Sequence, residues 1–119
     1  MIDFACKEFE IDAVVKCSLN LTRADLQILK YFIENDEKYH TAENISTSLN
    51  FDLSTAQKTV KKLHEKQILI RLQSNLDGGG YVFVYKVKSK KEIKDIIMST
   101  VQSWIRRLEN ELEIWADDK

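Results

Sequence analysis

At 119 residues the chain has the length of one domain, and 44% hydrophobic with 31% charged residues is the balance of a folded globular protein, which excludes a disordered tail. No apolar run approaches the ~18 residues that span a bilayer, and the acidic opening MIDFACKEFEID is unlike a signal peptide, so a cytoplasmic protein with no membrane partner is expected. The net charge of −1 conceals a division: residues 54–94 hold ten Lys/Arg against three acids, and the remaining residues hold eight against sixteen, as a nucleic-acid-binding face on an otherwise acidic protein would.

The first twenty residues are expected to pack on the domain that follows. LTRADLQILKYFIEN then has Thr22 as an N-cap with Asp25 three residues on, and Leu26, Leu29, Phe32 and Ile33 at helical spacing. This predicts a first core helix. TAENISTSLN repeats the pattern in a shorter helix, with Thr41 as cap and Ala42, Ile45 and Leu49 as its stripe. In LSTAQKTVKKLHEKQ, Ser54 and Gln57 match a capping box, and Ala56, Val60 and Leu63 share one face, predicting a third helix.

ILIRLQS and YVFVYKV are rich in β-branched and aromatic residues, and residues 75–80 between them carry the turn signals, including all 3 glycines of the chain. They predict a β-hairpin whose glycines supply positive φ at the reversal. A phosphate-cradling loop would run from strand into helix and would be followed by Lys-Ser/Thr; this one runs into a second strand. From Ser89, paired with Glu92 in a capping box, a single helix is predicted to about Trp115. Its residues Ile93, Ile97, Val101, Trp104, Leu108, Leu112 and Trp115 step by 4, 4, 3, 4, 4, 3, a stripe along a nearly straight helix. Such a helix outruns a domain of this size. Ile93 and Ile97 are expected to pack on their own domain, and Val101, Trp104, Leu108, Leu112 and Trp115 on the same helix of a second subunit.

Helix, short helix, turn, helix and hairpin form the layout of a winged helix-turn-helix, a mainly α fold with one small antiparallel hairpin. STAQKTVKKLHEKQILIR, GGGYVFVYKV and the long terminal helix resemble small archaeal transcriptional regulators of the TrmB/MarR-like winged-helix group, over roughly residues 14 to 115. The resemblance implies a DNA-binding domain over residues 1–88 and a dimerisation helix over 89–119. Two departures stand out. Gln67 occupies a place where these proteins commonly have glycine, which is tolerable if the turn there is not left-handed, and no sugar-binding domain like that of the longer TrmB-type members is expected.

The residues argue the same mechanism independently. With Ala56, Val60 and Leu63 inward, 100° per residue turns Lys58 outward, with Ser54, Lys61 and Glu65 beside it and Thr55 and Lys62 on the other flank. Thr55, Gln57 and Lys58, in the N-terminal half, are the candidates for base edges, with Gln57 also a candidate for capping Ser54; Lys61, Lys62 and Lys66 suit phosphates. Arg71, Lys86 and Lys88 in the wing are candidates for a neighbouring phosphate strand or minor groove, or are lysines that keep a strand edge soluble. Tyr81, Phe83 and Tyr85 alternate on one strand face, where packing against helices competes with stacking on bases.

Cys6, Cys17, His40 and His64 lack the spacing of a zinc motif, and the expectation is reduced, buried or half-buried thiols and surface imidazoles. No cofactor is implied, and no nucleophile stands in the context of a base, so an enzyme is not expected. The reading is a homodimeric regulator of double-stranded DNA without a metal; no effector is written in the residues. Its alternative is a winged-helix protein-interaction module in a transcription, replication or membrane-remodelling complex, which would need no lysines on the third helix.

Overall fold

The structure, a computed structural model, describes residues 2–4 and 7–118. A small antiparallel pair, β1 (Ile2–Phe4) and β2 (Lys7–Phe9), precedes four helices: α1 (Ile11–Ser18), α2 (Arg23–Glu34), α3 (Ala42–Leu49) and α4 (Leu53–Glu65). The hairpin β3 (Leu69–Asn75) and β4 (Tyr81–Val87) and the long helix α5 (Lys90–Asp117) complete the chain.

The capping signals at Thr22, Thr41 and Ser89 act as the sequence predicts. The Thr22 hydroxyl accepts from the Asp25 amide at 3.0 Å while the Asp25 carboxylate accepts from the Thr22 amide at 2.9 Å. Thr41 with Asn44, and Ser89 with Glu92, repeat this reciprocal arrangement. The predicted Ser54–Gln57 box does not form. α4 starts earlier, with Asp52 as N-cap and Leu53 as its first residue, so the Ala56 amide already reaches the Asp52 carbonyl at 3.1 Å. Gln57 therefore lies beyond the orphan amides that a cap serves.

α1 and the β1–β2 pair were not marked by the sequence pattern. α1 has only eight residues and no side-chain cap, and it is fixed by packing: Val15 meets the core, and Asp12 pairs with Lys30 of α2. It ends at Asn20, φ 54°, where the Leu21 amide bonds the Lys16 carbonyl at 2.8 Å and the Asn20 amide bonds the Cys17 carbonyl at 3.2 Å, closing the helix with a left-handed residue.

The end of α4 has the same construction and corrects the expectation for Gln67. Its φ is 66°, so the turn is left-handed, with the Ile68 amide on the Leu63 carbonyl and the Gln67 amide on the His64 carbonyl, both at 2.9 Å. Leu63 and Ile68 are both fully buried and supply the apolar contact that accompanies this closure. A glutamine thus holds a conformation that glycine takes without steric cost.

In the hairpin, Leu69 pairs with Val87 and Asn75 with Tyr81. The reversal uses positive φ at Gly79 and Gly80, 96° and 81°, so two of the three glycines are required by conformation. A side chain at Gly78 would meet nothing and needs no left-handed backbone. On the inner side His40 bridges β4, its amide on the Tyr85 carbonyl at 2.7 Å and its carbonyl accepting from the Tyr85 amide at 2.8 Å. One core results, centred on Phe32 and Ile28 of α2, Ile45 of α3, Leu63 of α4 and Leu69 of β3.

α5 leaves this core as it proceeds. Ile93 is buried and Ile97 packs against the core, as expected; Val101 is half-buried, and every described residue beyond it is exposed. The molecule measures 70 × 27 × 26 Å, the long dimension being set by a helix of about 42 Å.

Candidate nucleic-acid interface

α4 presents two faces of opposite chemistry. Ala56, Thr59, Val60 and Leu63 are buried; Ser54, Gln57, Lys58 and Lys61 are exposed, and Thr55 and Lys62 are half-buried. The helix-turn-helix corner before it is tight. Asn50 adopts φ 57° at the end of α3, and the Ser46 hydroxyl donates to the Phe51 carbonyl at 2.6 Å.

What fixes the rotation of α4 is a polar cluster that sequence reading missed. The Thr59 hydroxyl donates to Asp25 Oδ1 at 2.6 Å, and Lys62 Nζ donates to Asp25 Oδ2 at 2.7 Å. Asp25 thus caps α2 and anchors α4 at once, while only 5% exposed. Burial alone would raise its pKa, but the Lys62 ammonium, the Thr22 amide and the hydroxyls of Thr59 and Thr22 outweigh burial and hold it at about 2, below the ordinary 3.8. Lys62, a predicted phosphate ligand, is therefore occupied by a carboxylate. Thr59, inside an apolar stripe, was the one available sign that α4 buries a polar contact.

The wing supplies further cations, two of them against aromatic rings. The Arg71 guanidinium lies over Phe83 at 4.3 Å, and the Lys86 ammonium lies 5.6 Å from the centre of Tyr39. Lys88 is half-buried, and its amide bonds the Ile68 carbonyl at 3.0 Å. The alternating aromatics grade outward along β4: Tyr85 is buried, Phe83 half-buried and Tyr81 exposed. Tyr85 packs in the core, and Tyr81 reaches the wing's outer end with its ring edge-on to Phe83 at 5.3 Å.

His40 departs from the expected surface position. It is 7% exposed, edge-on to Tyr31 and Phe32, and its Nε2 lies 3.2 Å from the Asn35 carbonyl oxygen. His64 is half-buried, near Tyr85. Cys17 is exposed, contrary to the expectation of a buried or half-buried thiol, and Cys6 lies outside the described residues. Among the described residues no group of three His, Cys, Asp or Glu side chains is placed to hold a metal, and no helix is long and apolar enough to cross a membrane.

Away from this face, Trp104, Leu108, Leu112 and Trp115 of α5 are 40–74% exposed, a continuous apolar stripe which Ile105 joins. Large apolar residues rarely stay contiguous in water without a partner.

Comparison with known proteins places this geometry. A solved structure described as a possible transcriptional regulator from Methanosarcina mazei is 55% identical, covers 97% of this chain and 96% of its own, and superposes with a TM-score of 0.89. The uncharacterized protein MJ1503 of Methanocaldococcus jannaschii is 26% identical over 95% of this chain and 81% of its own. A Staphylococcus aureus MepR mutant bound to an oligodeoxyribonucleotide shares the fold at 13% identity, with a TM-score of 0.56 over 90% of this chain and 81% of its own. The winged helix-turn-helix layout and the likeness to archaeal regulators expected from the sequence both stand. Residues 8–108 match the family model of the DnaD N-terminal domain, and the chain belongs to that family.

Proposed function

We propose that the protein is a homodimeric transcriptional regulator that binds double-stranded DNA in a sequence-specific manner and has no enzymatic activity of its own. The observation behind this reading is the outward face of α4, where Lys58 and Lys61 stand free beside Ser54, Thr55 and Gln57 while the opposite face is locked into the core. A helix of these dimensions fits the major groove. Thr55, Gln57 and Lys58 read base edges, and Gln57 is released for this by the absence of its capping bond. Lys61 holds phosphate, with Arg71, Lys86 and Lys88 on the flanking backbone; Lys62 serves mainly to orient α4. Residues 1–88 form the DNA-binding unit, and 89–119 join two copies through Val101, Trp104, Leu108, Leu112 and Trp115. The likeness to a regulator and to a DNA-bound winged-helix protein supports the reading.

The test is duplex affinity against salt. With about four phosphates neutralised per subunit, log affinity should fall against log salt with a slope near −7, at roughly −0.9 per contact. A slope near zero would favour the second reading, a protein-interaction module. That reading draws on the outer wing face, where Ile70 and Leu72 are 40% and 49% exposed.

A further inference from the structure

The dimer reading leaves open how two α5 helices meet, and α5 itself holds the answer in its charge. Its first eighteen residues carry Lys90, Lys91, Lys94, Arg106 and Arg107 against Glu92 and Asp95; its last ten carry Glu109, Glu111, Glu113 and Asp117 with no basic residue. A parallel pair would set acidic end on acidic end and arginines on arginines. An antiparallel pair sets the arginines of each copy toward the glutamates of the other. At 100° per residue Arg107 and Glu111 flank the same side of the apolar seam while Arg106 and Glu113 fall on the back of the helix, and in an antiparallel pair like side meets like side, so Arg107 of each copy faces Glu111 of the other.

The apolar pattern agrees. Trp104, Leu108, Leu112 and Trp115 step by 4, 4 and 3, so a reversed copy brings Trp104 opposite Trp115 and Leu108 opposite Leu112 about an axis near residue 110. A groove with Ile105 at one end and Ala116 at the other runs beside Leu108 and Leu112, with Glu109 and Glu113 also lining it. Under the same axis it closes on its own copy, Ile105 against Ala116.

Resting on the dimer proposed above, we infer that the exposed half of α5 is covered by the same half of a second copy running antiparallel, with the two winged domains at opposite ends. The points where α5 leaves each domain, near Ile97, then lie about 40 Å apart along the helices. This exceeds one turn of DNA, about 34 Å, so the half-sites would be more widely spaced than in a dimer with adjacent heads.

A chain carrying Ile105→Cys and Ala116→Cys, with Cys6 and Cys17 replaced by serine, tests the direction. The two positions lie about 16 Å apart on one helix, too far for a bond within a chain. Light scattering first establishes its mass. Oxidation followed by peptide mass mapping should then give 105–116 disulfides between chains at least tenfold over 105–105 and 116–116. Same-site bonds, or no 105–116 bond in a proven dimer, would overturn the antiparallel arrangement and leave the dimer standing. A monomer, in this variant and in the unmodified protein alike, would overturn both.

Discussion

Asp25 shows how a residue can serve the fold and the proposed interface together. Its folded pKa of about 2 lies below the unfolded value near 3.8, so its contribution is fully present above about pH 4 and is lost as pH falls through 2. The difference corresponds to roughly 2 kcal/mol. Asp25→Asn should lower urea stability at pH 7 by about that amount and flatten the acid limb of the stability curve between pH 4 and 2; an unchanged acid limb would mean that the carboxylate is not held by Lys62 and Thr59. Lys62→Met should also destabilise, because it strips a partner from a buried charge, yet leave the salt slope of DNA binding nearly intact. Lys61→Ala should do the reverse. Gln67 offers a gain. It is exposed and left-handed, so Gln67→Gly should raise stability by about 1 kcal/mol, read as a higher urea midpoint at unchanged m-value.

These residues also mark the limits of the sequence. Thr22 with Asp25 was legible as a cap because the bond is local; the reach of Asp25 to Thr59 and Lys62 crosses 34 and 37 positions and leaves no periodic trace. His40 looked like a surface imidazole because its burial comes from pairing with Tyr85, a non-local partner. Ser54–Gln57 misled for the opposite reason: the spacing of a capping box is present, but Asp52 and Leu53 had already started the helix.

At the scale of elements, α2 to α5 and the wing were readable because each has either a cap or a strong period, and α1 was not, having eight residues and no side-chain cap. The proposed reading and holding roles divide between elements in a way that binding can separate. Lys58→Ala should leave the fold intact, since Lys58 is exposed and alanine favours helix. It should cost about 1 to 3 kcal/mol on a preferred duplex and much less on a scrambled one. Replacing Lys86 and Lys88 together should weaken both duplexes alike. Competition between the two duplexes measures both variants, and an equal loss for Lys58→Ala would reassign Lys58 to the backbone.

For the whole molecule, the 70 Å length and the exposed stripe of α5 make one domain with an arm that has no partner among the described residues. Light scattering at tens of micromolar should give twice the 13.9 kDa chain mass, falling to one chain when the protein is cut after Gln102. The proposed two-fold dimer, with each domain reading base edges, is tested by selecting bound sites from a pool of random duplexes with the full-length protein. A motif with two inverted half-sites should be enriched. Failure to enrich any sequence, under conditions where the protein is folded and dimeric, would contradict the proposal.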